Sequence, residues 1–181
     1  MKKVITTLLF LLIYANIANA QEYMTDSGTA IFHSEVPLHT FTGSSDFLTG
    51  LVNLEDGTVD FYLDLTTLDT GIQKRDRDMK ETLETEKFPF AEFFGSLATD
   101  FNPDDTSEQP VKVTGDFKIH GVSREVTIDG TLQMTPEGLM VTANWVLELE
   151  DYDIVPPSLL FVKVDQEQKI EIEALLKPTE N

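Results

Sequence analysis

Apolar and polar residues alternate with a period of two along most of the chain after residue 20, which limits the possible folds more than any other feature. In the segment from Val59 to Thr66, the odd positions are apolar and the even positions are mostly polar. Successive side chains of a β-strand point to opposite faces, so each such run predicts a strand with one wet face and one dry face. Regular runs cover residues 59–66, 111–120, 125–134, 139–149 and 170–174, and less regular runs lie near 29–36, 47–54, 91–98 and 160–165.

Turn residues separate these runs and indicate an antiparallel arrangement. They stand at Glu55–Gly57, His120–Gly121 and Thr135–Gly138. A sheet with one dry face must cover it, either with a second sheet or by closing on itself, and closure also removes exposed edges. We therefore predict an all-β fold, an antiparallel closed or nearly closed barrel of about eight strands, with a two-sheet sandwich as the alternative.

One short helix is predicted over residues 74–84. This segment lacks Gly, Pro and Val, and Met79 and Leu83 stand four residues apart, on one face of a helix. Pro89 follows soon after and ends the helical pattern.

Composition excludes several classes of function. The chain has 181 residues with 13 Lys+Arg against 32 Asp+Glu, a net charge of −19. Such acidity repels nucleic acid and anionic membranes, so neither is a predicted partner. The absence of cysteine excludes disulfides, thiolate catalysis and a lipoprotein anchor. An apolar fraction of 41% with 12 Phe indicates a folded core.

The first 20 residues read as an export signal. Lys2 and Lys3 precede an apolar run from Val4 to Ile13, and Ala18–Ala20 fits the small-x-small cleavage rule. The alternative is a membrane anchor, but the run is shorter than the about 20 residues that span a bilayer. We expect a signal peptide over residues 1–20, no stable membrane anchor, and one periplasmic or secreted domain over residues 21–181.

Glycines fall in phase with the apolar rows of the predicted strands, among them Gly50, Gly95, Gly115 and Gly130. A glycine inside a strand weakens it, so these positions need a reason. Either glycine lets the strands coil as a barrel closes, or the missing side chains leave space for a ligand. Both explanations stay open at this point.

The inner face predicted by the alternation is almost wholly apolar, and a cavity of that kind selects for hydrocarbon. Core packing is the alternative role for each aromatic residue of the set. The predicted ligand-contacting residues are Phe32, Phe61, Leu63, Leu65, Phe93, Gly95, Gly115, Phe117, Ile119, Gly130, Trp145 and Leu147.

Signatures of catalysis and of metal binding are missing from the sequence. It contains no Gly-x-Ser-x-Gly elbow, no His-Glu-x-x-His and no phosphate-binding glycine loop. Asp100, Asn102 and Asp104 match the start of a calcium loop, but Asp105 replaces the required glycine, which favours a solvated acidic loop. No catalytic residue, metal or cofactor is predicted.

Four segments in a fixed order resemble the YceI-like family of exported lipid-binding proteins, and the resemblance spans nearly all of residues 21–181. The segments are Leu68-Asp69-Thr70-Gly71-Ile72, Arg75-Asp76-x-Asp78-Met79, Phe88-Pro89-x-Ala91-x-Phe93 and the run Gly115–Val126; Phe32-x-Ser34 and Asp151–Ile154 extend the match. The resemblance implies a lipocalin-like barrel with a helix near one end and a polyisoprenoid or similar amphiphile inside it.

The sequence therefore predicts a non-catalytic, exported protein that sequesters or carries a long-chain isoprenoid or similar amphiphile. Arg75, Arg77 and Arg124 are candidates for contacting a phosphate or carboxylate head group, with surface ion pairs as the alternative. Two other functions stay open: a packed structural or stress-interaction domain whose acidic surface recruits a partner, and a carboxylate-based hydrolase. Whether the barrel forms a homodimer is also left open.

Overall fold

Antiparallel β-strands make up most of the structure, a computed structural model that describes residues 22–36, 39–156, 158–159, 162–163 and 165–179. The predicted signal peptide lies outside the described residues. The strands are β1 (Glu22–Val36), β2 (His39–Asn53), β3 (Thr58–Asp64), β4 (Phe90–Leu97), β5 (Gln109–Ile119), β6 (Val122–Thr135), β7 (Gly138–Glu148), β8 (Ser158–Leu159), β9 (Val162–Lys163) and β10 (Glu167–Pro178). The described residues also form one α-helix, α1 (Gln73–Thr82), and two 3₁₀ turns, Leu65–Thr67 and Leu149–Tyr152.

Eight of these strands close into a barrel in the order β1-β10-β7-β6-β5-β4-β3-β2. Every neighbouring pair is antiparallel, and β1 pairs with both β2 and β10, which closes the ring. Closure satisfies the backbone hydrogen bonds that an open sheet leaves at its edges. The predicted all-β antiparallel barrel with one short helix is confirmed.

Two strands are longer than predicted. β1 begins at Glu22 rather than near residue 29, and β2 begins at His39 rather than near residue 47. The β1–β2 register shifts between Thr25 and Gly28 and again between Gly28 and Ala30, so the alternation breaks there although pairing continues. The first half of β2 is rich in Gly, Ser and Thr, and its polar composition hides the strand.

The other differences between the predicted and the observed strands each affect one short segment. The run over residues 59–66 ends as a strand at Asp64, whose carboxylate accepts hydrogen bonds from the Thr66 backbone N–H (2.8 Å) and hydroxyl (2.7 Å) and starts a 3₁₀ turn. Within the predicted strand near 160–165, Val162–Lys163 form the strand β9, and residues 160, 161 and 164 lie outside the described residues. β9 pairs with β8 outside the barrel.

The helix α1 crosses the end of the barrel where β3 ends and β4 begins, which we call the helix end. It covers residues 73–82 rather than 74–84, because the chain turns at Glu84, which has a φ of +47°. Asp76 holds the preceding loop to the helix, since its carboxylate accepts hydrogen bonds from the Thr70 N–H (2.8 Å) and hydroxyl (2.6 Å). The Thr70 hydroxyl, as the largest influence, lowers the pKa of Asp76.

The opposite end of the barrel, the far end, is filled by buried apolar side chains. Leu139 and Leu176 face each other across β7 and β10, and both are fully buried. Val52 and Leu132 belong to the same core and line the cavity from this end. None of the helices in the described ranges has the length and apolarity needed to cross a membrane.

Candidate functional site

An internal cavity of about 530 Å³ runs between the helix end and the apolar packing of the far end. All eight barrel strands and α1 contribute to its wall, and the lining is almost wholly apolar. The volume falls within the roughly 300–1,000 Å³ of typical small-molecule sites. The barrel is therefore hollow, and its interior suits a hydrocarbon ligand.

Most of the ligand-contacting residues predicted from the sequence lie in this wall. They are Phe32, Phe61, Leu63, Leu65, Phe93, Phe117, Ile119, Gly130, Trp145 and Leu147. They come together because alternate residues of neighbouring antiparallel strands share the inner face. Their contact with a ligand stays a prediction.

Gly95 and Gly115 are not part of the cavity wall, which corrects their place among the predicted contacts. The two residues face each other across β4 and β5. A Cβ on Gly115 would lie 2.4 Å from the Gly95 Cα and 2.4 Å from the Phe94 carbonyl oxygen. The backbone of the neighbouring strand thus occupies the space, so at this pair the structure favours strand coiling over room for a ligand.

At Gly50 an aromatic ring fills the space that the missing side chain leaves. A Cβ on Gly50 would lie 2.0 Å from the Phe61 ring, and Phe61 is its cross-strand partner. The same arrangement recurs at Gly43, where an added Cβ would lie 2.2 Å from the ring of its partner Phe32. These glycines therefore set the position of two aromatic side chains in the cavity wall.

An aromatic cluster lies near the helix end, and two of its members, Phe117 and Trp145, line the cavity. Phe117 packs edge-on against Trp145 and Tyr152, with ring centroids 5.8 Å and 5.6 Å apart. Burial raises the pKa of the Tyr152 hydroxyl, so this residue stays neutral over the physiological pH range. The cluster gives the cavity a rigid, uncharged side.

The helix contributes both apolar and charged groups to the cavity. Met79 and Leu83, the pair that predicted the helix, face inward and line it. Arg75 also lines the cavity, and its guanidinium lies 4.3 Å from the centroid of the Phe41 ring. Lys74 and Asp78 lie beside it and form an ion pair of 2.5 Å.

The other two arginines predicted to contact a head group lie elsewhere, which corrects both assignments. Arg77 belongs to a separate surface groove on the outer side of α1 and not to the cavity wall. Arg124 donates from Nε to the Asp151 carbonyl oxygen at 2.8 Å, which directs it towards the second 3₁₀ turn. Arg77 and Arg124 thus lie outside the cavity wall, and Arg75 is the one of the three that lines it.

Acidic groups in the cavity wall are neutralised by lysines. Asp78 pairs with Lys74, and Glu92 pairs with Lys118 at 2.8 Å. In the part of the chain that the structure describes, no group of three or more His, Asp or Glu could hold a metal ion. Both acids among the described residues of the cavity wall are thus held in ion pairs with lysine.

Two polar residues of the wall were given no role by sequence reasoning. Ser34 and Gln168 line the cavity and are buried. Ser34 stands two residues after Phe32 and so shares its face of β1, but the irregular alternation of residues 29–36 did not show which face points inward. Gln168 precedes the alternating run that predicted β10, so the sequence did not show which face its side chain occupies.

The chain is similar in sequence to known proteins. A sequence model of the YceI-like domain matches residues 23–176. A UPF0312 protein of Vibrio parahaemolyticus is 29% identical over 124 residues, which cover 64% of this chain and 62% of the Vibrio protein. The match thus spans less than two thirds of that relative.

Two solved structures share the fold. A polyisoprenoid binding domain from Saccharophagus degradans, implicated in plant cell wall breakdown, superposes with a TM-score of 0.74 at 17% identity, covering 88% of this chain and 99% of that domain. BcnA of Burkholderia cenocepacia gives a TM-score of 0.69 at 14% identity, covering 84% of this chain and 96% of BcnA. At these identities the similarity establishes the barrel architecture alone.

Proposed function

The chain belongs to the YceI-like domain family, and we propose that it is a non-catalytic binding protein that holds a long-chain isoprenoid or similar amphiphile in its barrel. The observation that carries the proposal is the cavity of about 530 Å³ with its apolar, aromatic wall. The structural neighbour from Saccharophagus degradans, a polyisoprenoid binding domain, supports the same ligand class.

Burial of the hydrocarbon chain supplies the binding energy in this proposal. A chain that buries about 15 CH₂ groups gains roughly 12 kcal/mol before association costs, at about 0.8 kcal/mol per group. Association costs at least several kcal/mol of this gain, and the remainder suffices for carriage through water. Polar contacts are then needed for selectivity rather than for affinity.

Of the three candidate head-group contacts, Arg75 alone lines the cavity, so it alone of the three lies beside the polar end of a ligand whose head is at the helix end. The packed far end supports an orientation in which the polar head lies at the helix end and the tail points towards Leu139 and Leu176.

We also propose export to the periplasm or the exterior. The support is the sequence of residues 1–20, with two lysines, an apolar run and a small-x-small cleavage site. Residues 21–181 form the lipid-binding domain in this proposal, without a membrane anchor.

Filling the cavity tests the proposal. Ala143 lines the wall of β7, whereas Val146 on the same strand is exposed on the outer face. Ala143→Phe places a ring inside the barrel, and the control Val146→Phe places one outside. We expect Ala143→Phe to abolish uptake of a fluorescent alkyl probe and to remove co-purifying lipid from native mass spectra of protein isolated from its own cells.

The control should bind the probe as the wild type does. Wild-type protein that carries no lipid and takes up no probe would overturn the proposal. Equal loss of uptake in both variants would also count against it, because the effect would then not depend on filling the cavity.

A further inference from the structure

Ser34 is a buried hydroxyl of the cavity wall that has no hydrogen-bond partner among the described residues. Its side chain has no exposed surface. Leaving a buried hydroxyl unpaired costs about 1–3 kcal/mol. Because Ser34 lines the cavity, a ligand atom inside the barrel can supply the missing hydrogen bond.

Gln168 lies beside Ser34 and offers the complementary group. The two residues face each other across β1 and β10, which puts their Cβ atoms about 4.5–5.5 Å apart on the inner face. The side-chain amino group of Gln168 donates to the carbonyl oxygens of Asp165 (2.8 Å) and Glu167 (3.1 Å). Both amide hydrogens are thereby used, so the group left to a ligand is the amide oxygen, an acceptor.

The row of inward residues that holds this pair contains no charged side chain. Phe41 is the partner of Ser34 on β2, and Leu147 is the partner of Gln168 on β7, so the four residues form one row across the inner face. The next row towards the far end holds Phe32 and Ile170. Arg75 lies on the ring of Phe41 rather than in the row itself.

We propose that Ser34 and Gln168 form a polar subsite that selects an uncharged hydroxyl, so that the preferred ligand is a long-chain alcohol or phenol. This inference rests on the proposed function. A ligand hydroxyl donates its hydrogen to the Gln168 oxygen and accepts one from Ser34, which satisfies both residues. A carboxylate or phosphate ester anion has no hydrogen to donate, meets the lone pairs of the Gln168 oxygen, and loses hydration in an apolar wall.

Displacement of a fluorescent alkyl probe from the whole protein tests the subsite with three ligands of equal chain length: hexadecan-1-ol, hexadecanoate and hexadecane. We expect the alcohol to bind about tenfold more tightly than the alkane, because the two hydrogen bonds of its hydroxyl more than offset the loss of hydration. Hexadecanoate should bind less tightly than the alcohol. Ser34→Ala and Gln168→Leu should each lower the ratio of alcohol affinity to hexadecane affinity towards one, measured within the same variant.

Ser45→Ala is the matched control. Ser45 is also a buried serine, but its hydroxyl bonds Thr67 at 2.6 Å and it does not line the cavity. This variant should keep the alcohol preference. Ser34→Ala should also melt no lower than the wild type without ligand, because it removes an unpaired buried group.

The ways in which the proposals can fail are distinguishable. If none of the three ligands displaces the probe, the proposed function fails and the subsite with it. If all three ligands bind equally, or if Ser34→Ala keeps the preference for the alcohol, the proposed binding function is supported and the proposed subsite is wrong. Tighter binding of hexadecanoate that disappears in Arg75→Gln would overturn the subsite in favour of anion recognition by Arg75.

Discussion

Replacing Gly115 with alanine separates the two explanations for glycine inside the strands. The added Cβ would lie 2.4 Å from the Gly95 Cα and from the Phe94 carbonyl oxygen, where ordinary contact begins at 3.4 Å. Strands β4 and β5 must therefore separate by about 1 Å over this pair, or their ladder must distort. Overpacking of this kind costs about 1–3 kcal/mol. For a domain of this size the loss corresponds to a fall of roughly 2–12 °C in melting temperature.

Two measurements on the same protein check the reasoning. Thermal unfolding followed by circular dichroism, without ligand, gives the change in stability, and probe uptake well below the melting temperature gives the state of the cavity. We expect Gly115→Ala to melt lower and to bind the probe as the wild type does, because Gly115 is not part of the wall.

Asp116→Ala is the control for this experiment. Asp116 is the next residue of β5 and is exposed on the outer face. Such surface substitutions usually change stability by less than about 0.5 kcal/mol. If Gly115→Ala melts at the wild-type temperature, the coiling argument is refuted. If it melts normally but binds no probe, the glycine provides space for the ligand after all.

Two further predictions concern pH. Because the pKa of Asp76 is lowered in the folded state, its ionised carboxylate stabilises the fold above pH 3.8, the ordinary pKa of the group. This stabilisation is lost as the pH falls through the folded-state pKa. Asp76→Asn should therefore unfold at lower urea concentration than the wild type at pH 7, and a difference that persists unchanged at pH 2 would contradict this. The raised pKa of Tyr152 acts in the opposite direction, with stability present below 10.0 and lost as pH rises through the folded-state pKa. Tyr152→Phe should lose less stability than the wild type in urea titrations above pH 10, and equal losses would show that burial of this hydroxyl does not matter.

The alternation of side chains predicted the barrel because it is a local property of each strand. The inward residues of β3 and β5, such as Phe61 and Phe117, could be named from the sequence for that reason. The pattern fails where the register shifts around Gly28, because a bulge moves later side chains to the other face without ending the pairing. The strand then continues although its sequence no longer alternates.

The positions that sequence reasoning misassigned depend on cross-strand neighbours. Position 115 has no room for a side chain because the backbone at Gly95 lies directly opposite. Arg124 donates a hydrogen bond to the carbonyl oxygen of Asp151, 27 residues along the chain. Neither neighbour can be read from the strand that carries the residue. The unpaired hydroxyl of Ser34 also depends on neighbouring strands. Among the described residues of β2 and β10, which flank Ser34, no group forms a hydrogen bond with its Oγ.

The pairing of β1 with β10 determines when the interior of the barrel becomes enclosed. The ladder joins residues from Tyr23 to Pro178, so the interior is enclosed only when the last strand docks on the first. A nascent chain that lacks β10 has two open edges and a wet inner surface. Such long-range pairing also slows folding. Under the proposed function, a ligand is therefore enclosed only after β10 has been synthesised and has paired with β1, so that uptake follows closure of the barrel.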